Sequence, residues 1–210
     1  MKCRIYLLLL IIWPGVLCAQ QNRFGAAIIL GLNAAQINGD NSGGYNKLGL
    51  RVGLRGIARL NERAELSMDL LYSHRGSRSE LVVGSGLPIF VIHLEYAEVP
   101  IRFTYRDWYD ESKHYYKVYA SGGVAYSRLL QSRFENTALV SEAERFNAND
   151  VSVSLAIGYM SSPHVGFQIG WSRSLVPLYN NRKWLNNAGL PRYPHSLWPY
   201  FLSFEIYYAF

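Results

Sequence analysis

Arg51, Arg55 and Arg59 stand four residues apart, and Glu65 and Asp69 repeat that spacing a few residues later. Glu98 and Arg102 form a third pair at the same interval, with Lys117 and Glu205 as further charges. Groups of both signs at a fixed interval can line a polar pore, hold a bound anion, or neutralise one another within a packed interior. In an extended strand, positions four apart share a face, so the three arginines project together. Facing hydrocarbon, each would cost about 2–4 kcal/mol at the bilayer midplane. They are therefore expected to face a polar lumen, as one charge network with Glu65, Asp69, Glu98, Arg102, Lys117 and Glu205.

Other chemistry finds less support. His74, His93, His114, His164 and His195 are expected in or beside loops. None has a serine or acidic residue at a recognisable spacing, although a triad is set by geometry and not by order. His74 and His93 flank one loop and could meet as a metal pair; loop histidines without a ligand are the commoner case. Asn38-Gly-Asp-Asn-Ser-Gly43 is similar to the opening of a calcium loop, but Gly49 takes the place of the closing glutamate and no helices flank it. It reads as a hairpin loop. Glycine-rich nucleotide and phosphate loops are absent. No catalytic residue, cofactor or metal is expected.

The bulk numbers say which elements hold these residues. A chain of 210 residues has room for one domain or two. It is 50% apolar and 17% charged, and 16 tyrosines and 18 glycines against three methionines favour strands and turns over helices. No internal run approaches the ~20 apolar residues of a spanning helix. The mean hydropathy of −0.02 argues against a helical membrane protein, yet suits strands whose two faces average out.

Residues 1–19 read as a signal peptide: Lys2 and Arg4, an apolar stretch from Ile5 to Trp13, then Pro14-Gly15 before Val-Leu-Cys-Ala19. Acylation of Cys18, as in a lipoprotein, is the alternative, and the bulky Leu17 before it disfavours that reading. Cleavage after Ala19 removes both cysteines, and with them disulfides, thiolate metal sites and cysteine nucleophiles. It also lowers the formal charge from +6 to +4, since Lys2 and Arg4 are its only charged residues. The remaining basic residues form no run, so nucleic acid is not an expected partner. Anionic headgroups and lipopolysaccharide phosphates are.

Residues 20–210 alternate with period two in eight stretches. Phe24 to Asn33 opens the series. Leu48 to Leu60 places Leu48, Leu50, Val52 and Leu54 opposite the arginines. Ala64 to Ser73 answers it, with Glu65 and Asp69 placed to neutralise those arginines across a hairpin. Leu94 to Tyr105 turns Ala97, Val99, Ile101, Phe103 and Tyr105 out and Glu98, Pro100, Arg102 and Thr104 in; Pro100 predicts a bulge or bend. Tyr116 to Ser127, Val151 to Tyr159 and Val165 to Ser172 follow. Long loops are expected over 74–92, 128–148 and 174–195.

The last stretch, Tyr200 to Phe210, sets Tyr200, Leu202, Phe204, Ile206, Tyr208 and Phe210 on one face against Phe201, Ser203, Glu205, Tyr207 and Ala209. Such a strand is a sticky edge in water, but a barrel in lipid has a use for it. Turns after the second, fourth and sixth stretches are short and the other connections mostly longer, as in outer-membrane barrels. The expectation is an all-β, eight-stranded antiparallel up-and-down transmembrane barrel. In so small a barrel side chains just fill the interior, which favours packing as the role of the charges. Trp108, Trp171, Trp184 and Trp198 are expected in an aromatic girdle. The closing strand should lie against the first, whose glycines would admit Tyr207. Phe210 should serve as the terminal signal read by barrel-assembly machinery. The rival classes are a lipid-modifying barrel enzyme using loop histidines, and a secreted soluble barrel with its apolar face inward around a ligand.

Several stretches together resemble the PorT-like outer-membrane β-barrel family of Bacteroidetes. They are Gly31-Leu-Asn33 with Ile37-Asn-Gly-Asp40, Tyr45-Asn-Lys-Leu-Gly49, Glu65-Leu-Ser-Met-Asp-Leu-Leu-Tyr-Ser73 with Arg75-Gly76, and Leu94-Glu-Tyr-Ala-Glu-Val-Pro-Ile101. Asp69 departs from the uncharged residue expected within such a Glu-Leu-Leu-Tyr-like run. The resemblance covers essentially the whole chain after the leader. It implies a small outer-membrane barrel without a catalytic motif, and a link to type IX protein secretion with other envelope or secretion proteins as partners.

Overall fold

The computed structural model describes residues 23–40, 42–79, 90–135 and 138–210. The expected signal peptide lies outside the described residues. Eight strands follow one another: β1 (Phe24–Asn38), β2 (Lys47–Arg59), β3 (Ala64–Arg78), β4 (Val91–Asp110), β5 (Tyr115–Glu135), β6 (Asn149–Met160), β7 (Val165–Ser174) and β8 (Trp198–Ala209). Each pairs antiparallel with the next, and β8 closes on β1. The fold is the expected all-β up-and-down barrel.

Closure depends on small residues where strands meet around bulky inward groups. Gly31 of β1 pairs with Glu205 of β8. A Cβ on Gly31 would stand 2.4 Å from the Phe204 carbonyl oxygen and 3.2 Å from the Glu205 Cγ. Tyr207, however, is not admitted by a β1 glycine. On that side it pairs with Ile29, whose branched side chain is fully buried, so the phenol turns the other way and lies over Gly166 of β7.

β1 runs on to Asn38, and three later strands also run further than their alternation suggests. β3 continues to Arg78 and β4 begins at Val91, so the connection expected over 74–92 shrinks to 79–90, and His74 and His93 sit within strands. β5 likewise runs to Glu135, and a 3-10 segment, Ala138–Arg145, follows. The outward residues of these extensions include His74, Glu95, His93 and Arg133, while the inward ones include Arg75 and Ser77. With polar groups on both faces the period-two contrast fades, although the backbone pairing persists.

Pro100 produces no bulge. The β3–β4 ladder is interrupted opposite it and resumes at Leu71 with Glu98 in unchanged register, because the missing N–H removes a bond without moving the strand. The register shift in β4 lies at Glu95/Tyr96, where Leu130 of β5 is the additional residue.

The interior is layered. Near the short turns (60–63, 111–114 and 161–164) Ile29, Ile57, Leu71, Tyr119, Met160 and Tyr207 form one apolar layer. Near the long connections Ile37, Ile92, Leu94 and Tyr96 pack with Phe146, Leu178, Tyr179 and Leu197, which the connections themselves supply. Asp40, at the start of the first long connection, is buried there, accepting bonds from the Ser42 amide at 2.9 Å and Gln36 Nε2 at 3.3 Å. Burial pushes its carboxyl above the usual range, against the lowering effect of its bonds to Ser77 and Ser42.

Candidate functional site

Between the two apolar layers, strands β2, β3, β4 and β8 deliver six of the charges expected in the lumen: Arg51, Arg55, Asp69, Glu98, Arg102 and Glu205. Arg51 donates from Nη1 and Nη2 to the two oxygens of Glu98, at 2.8 and 2.9 Å, and from Nε to Glu205 at 2.8 Å. Arg55 holds Asp69 by two bonds of 2.8 and 3.0 Å, across the β2–β3 hairpin as the spacing required. Arg102 donates to Asp69 Oδ2 at 2.8 Å, an oxygen it shares with Arg55 Nη2, and both Arg55 and Arg102 approach Glu205, at 3.7 and 3.8 Å. Gln168 donates to the second oxygen of Glu205 at 3.2 Å.

Two further members come from the extended strand ends, where alternation gave no signal. Arg75 bonds Glu98 and reaches Asp150 at 3.1 Å, while its guanidinium lies between the rings of Tyr96 and Phe201, 4.8 and 4.3 Å from their centroids. In the sequence Arg75 stands out only within the stretches that resemble the PorT-like family. The register of β3 beyond Ser73 is the signal that would have placed it inward.

Arg51, Arg55, Arg75 and Arg102 are thus set against Asp69, Glu98, Asp150 and Glu205, all buried, with four charges of each sign. A buried charge is tolerated when it is paired and its remaining donors are satisfied. The long side chains of β2–β4 reach toward a wall of small ones, Ser121, Ser152, Ser154 and Ser172, so the barrel is filled from one side.

Three expected members lie elsewhere. Glu65 pairs in register with Arg59, yet its carboxylate bonds Arg106 at 2.5 Å, and Arg59 is exposed at the rim. Glu65 is buried at the edge of the interior, while Arg59 meets water. Lys117 bonds Asp110 at 2.9 Å, also at the short-turn end. In the central set each of the four cations lies within ion-pair distance of a carboxylate.

The histidines do not assemble. His74 Nε2 lies 2.9 Å from the Tyr72 hydroxyl and 3.5 Å from Glu95, and His93 lies 3.7 Å from Glu135, all on the outer face. His114 and His164 lie in short turns, and His195 in the last long connection. Among the described residues, no group of three or more histidine, cysteine or acidic side chains is placed to hold a metal.

The exterior decides the setting. Ile28, Leu30 and Leu32 of β1, Leu54 of β2, Met68 and Leu70 of β3, Leu155 and Ile157 of β6, and Phe204 and Ile206 of β8 are all exposed on the outer face. A continuous apolar belt around a closed, polar-cored sheet is stable in lipid and not in water. The chain is an outer-membrane β-barrel.

The soluble barrel with an inward apolar face is overturned by the same observation. Trp171 and Trp198 stand at the end of the belt near the long connections, with Tyr126 and Tyr200, and Tyr105, Tyr116 and Tyr208 at the other end. Trp108 is exposed on the β4–β5 hairpin, 6.0 Å from the Lys117 ammonium. Trp184 is not part of a girdle. It packs against the apolar layer of the long connections, because the segment carrying it folds over the barrel mouth.

No family model matches the chain, and no curated protein matches it. Solved structures with a similar fold include Ail, the attachment invasion locus protein of Yersinia pestis, in complex with the heparin analogue sucrose octasulfate: 12% identity over 89% of this chain and 99% of that one, TM-score 0.48. Neisserial surface protein A is 12% identical over 88% of this chain and 96% of its own, TM-score 0.44. The N-terminal barrel domain of Pseudomonas aeruginosa OprF is 11% identical over 89% and 99%, TM-score 0.37.

Proposed function

We propose that this barrel is a non-enzymatic structural or accessory component of the outer membrane, of the PorT-like kind, acting with other envelope proteins in type IX protein secretion. The observation that supports the non-enzymatic, non-conducting part is the lumen: among the described residues, four buried charges of each sign pair with one another between two apolar layers. The stretches that resemble the PorT-like family support the rest. They supply Glu65, Arg75 and Glu98, together with Gly31 and Gly49, where an added Cβ would meet neighbouring backbone oxygens at 2.4 and 2.3 Å.

On this reading residues 1–19 are a cleaved leader, Phe210 directly after β8 is read by the assembly machinery, and lipopolysaccharide surrounds the belt. Purified protein in planar bilayers is expected to show no steady conductance. Deletion of the gene is expected to reduce export of type IX cargo; undiminished export removes the secretion role and leaves the structural one. Turnover of a lipid substrate that is lost in His74→Ala would put the Tyr72–His74–Glu95 group in charge and replace the non-enzymatic reading.

A further inference from the structure

Residues 144–149 and residues 176–184 of the last long connection enclose a cleft of about 390 Å³ at the long-loop end of the barrel. Trp184 lies on its wall with two cations against the ring, the Arg145 guanidinium 5.7 Å and the Lys183 ammonium 5.0 Å from the centroid. An aromatic face orders long cationic side chains that would otherwise lose rotamer freedom on binding. Arg145 spends one nitrogen on Glu142 at 3.0 Å and on the Ser141 carbonyl.

Three asparagines complete the wall, and their amide orientations are set by their neighbours. Asn147 Oδ1 accepts from the Asn149 amide at 3.1 Å, and Asn149 Oδ1 from Tyr126 and Arg128 at 2.8 and 2.7 Å. Asn180 Oδ1 accepts from the Arg182 amide at 3.0 Å. With each oxygen taken by a donor, what each side chain has left to offer is its NH2 group. The cleft is therefore rich in donors: three amides, an ammonium and the rest of a guanidinium, opposed by the exposed carboxylate of Glu144.

We propose that this cleft binds an anionic saccharide, its acidic group on Lys183 and Arg145 and its ring oxygens and hydroxyls on the asparagine amides. A lone inorganic anion would use the cations and leave the amides idle, while a neutral sugar would use the amides and leave the cations idle. Trp184 acts as a positioning residue for both cations. The site is independent of the secretion role, which neither supplies nor needs it.

The test is calorimetric titration of the full chain, folded in detergent at low salt, with N-acetylglucosamine 6-phosphate, N-acetylglucosamine and inorganic phosphate. The sugar phosphate is expected to bind at least about tenfold more tightly than either of the others, one charge-assisted contact being enough for that ratio. Lys183→Ala should weaken it about tenfold, and Glu144→Gln should strengthen it several-fold, a gain that a purely structural role would not produce. Heat-modifiable migration on gels confirms that both variants fold. No saturable binding, equal binding of the neutral sugar or of phosphate, or indifference to both substitutions overturns the proposal. Repeating the titration in phosphatidylethanolamine vesicles with and without lipopolysaccharide separates the sources: occlusion marks a sugar phosphate borne by the membrane, and unchanged binding marks a free saccharide.

Discussion

Arg51 grips Glu98 by two parallel bonds, although their strands, β2 and β4, are separated in the ring by β3. The contact crosses the lumen instead of running along the sheet. Arg51→Met leaves Glu205 without its 2.8 Å partner and is expected to cost about 3–5 kcal/mol, as loss of one member of a buried pair does. Adding Glu205→Gln restores the charge balance and should recover part of the loss. Urea unfolding in lipid vesicles, followed by tryptophan fluorescence, reads both; a double variant weaker than the additive sum would count against a shared network.

The belt predicts a sign that depends on which face is altered. Ile157, on the outer face of β6 and 68% exposed, should tolerate serine modestly, whereas Ile157→Arg should cost about 2–4 kcal/mol in a bilayer. The comparison is folding yield and urea midpoint in vesicles. An arginine accepted there without loss would place this part of β6 outside hydrocarbon.

Gly166 lies beneath the Tyr207 ring, where an added Cβ would come within 2.4 Å of it. Gly166→Ala is expected to destabilise by about 1–3 kcal/mol through overpacking. Tyr207→Leu removes the obstructing ring, so the two substitutions together should cost less than their sum. Strict additivity in the thermal midpoints would show that the ring simply moves aside.

Asp40 is held above its ordinary carboxyl pKa by burial. The folded state therefore binds the extra proton over the window between the unfolded value of about 3.9 and the raised one, and stability falls as pH rises through it. Asp40→Asn keeps the acceptor for the Ser42 amide and removes the titration. Its stability relative to the parent should grow with pH across that window and then level off. A parent and variant that track each other from pH 4 to pH 7, measured by heat-modifiability, would remove Asp40 as the cause.

Strand identity was legible wherever one face met lipid. Leu48 to Leu60 and Tyr200 to Phe210 show their inner and outer faces outright, since a two-residue period is a consequence of pleating between oil and polar core. The pairing of Arg55 with Asp69 followed from the same spacing. Arg75 and Asp150 did not, because beyond the belt both faces of a strand are polar and the contrast that marks inward positions is gone. Nor could spacing reveal that Glu65 bonds Arg106 of β4, since its register partner on that strand is Thr104. Trp184 misled for a related reason: an aromatic near a strand end suits a girdle and a folded-over connection equally.

The seam between β1 and β8 has a consequence for how the barrel is made. When seven strands are in place the lumen holds Arg51, Arg55, Arg75 and Arg102 but only Asp69, Glu98 and Asp150 as central counter-ions; the fourth carboxylate arrives on β8 as Glu205. The unfinished sheet therefore carries one surplus positive charge that only the last strand can cancel. A slip of one residue at the seam would turn Glu205 toward hydrocarbon and bring Phe204 or Ile206 against the arginines. The register that balances the interior is also the one that leaves the outside greasy.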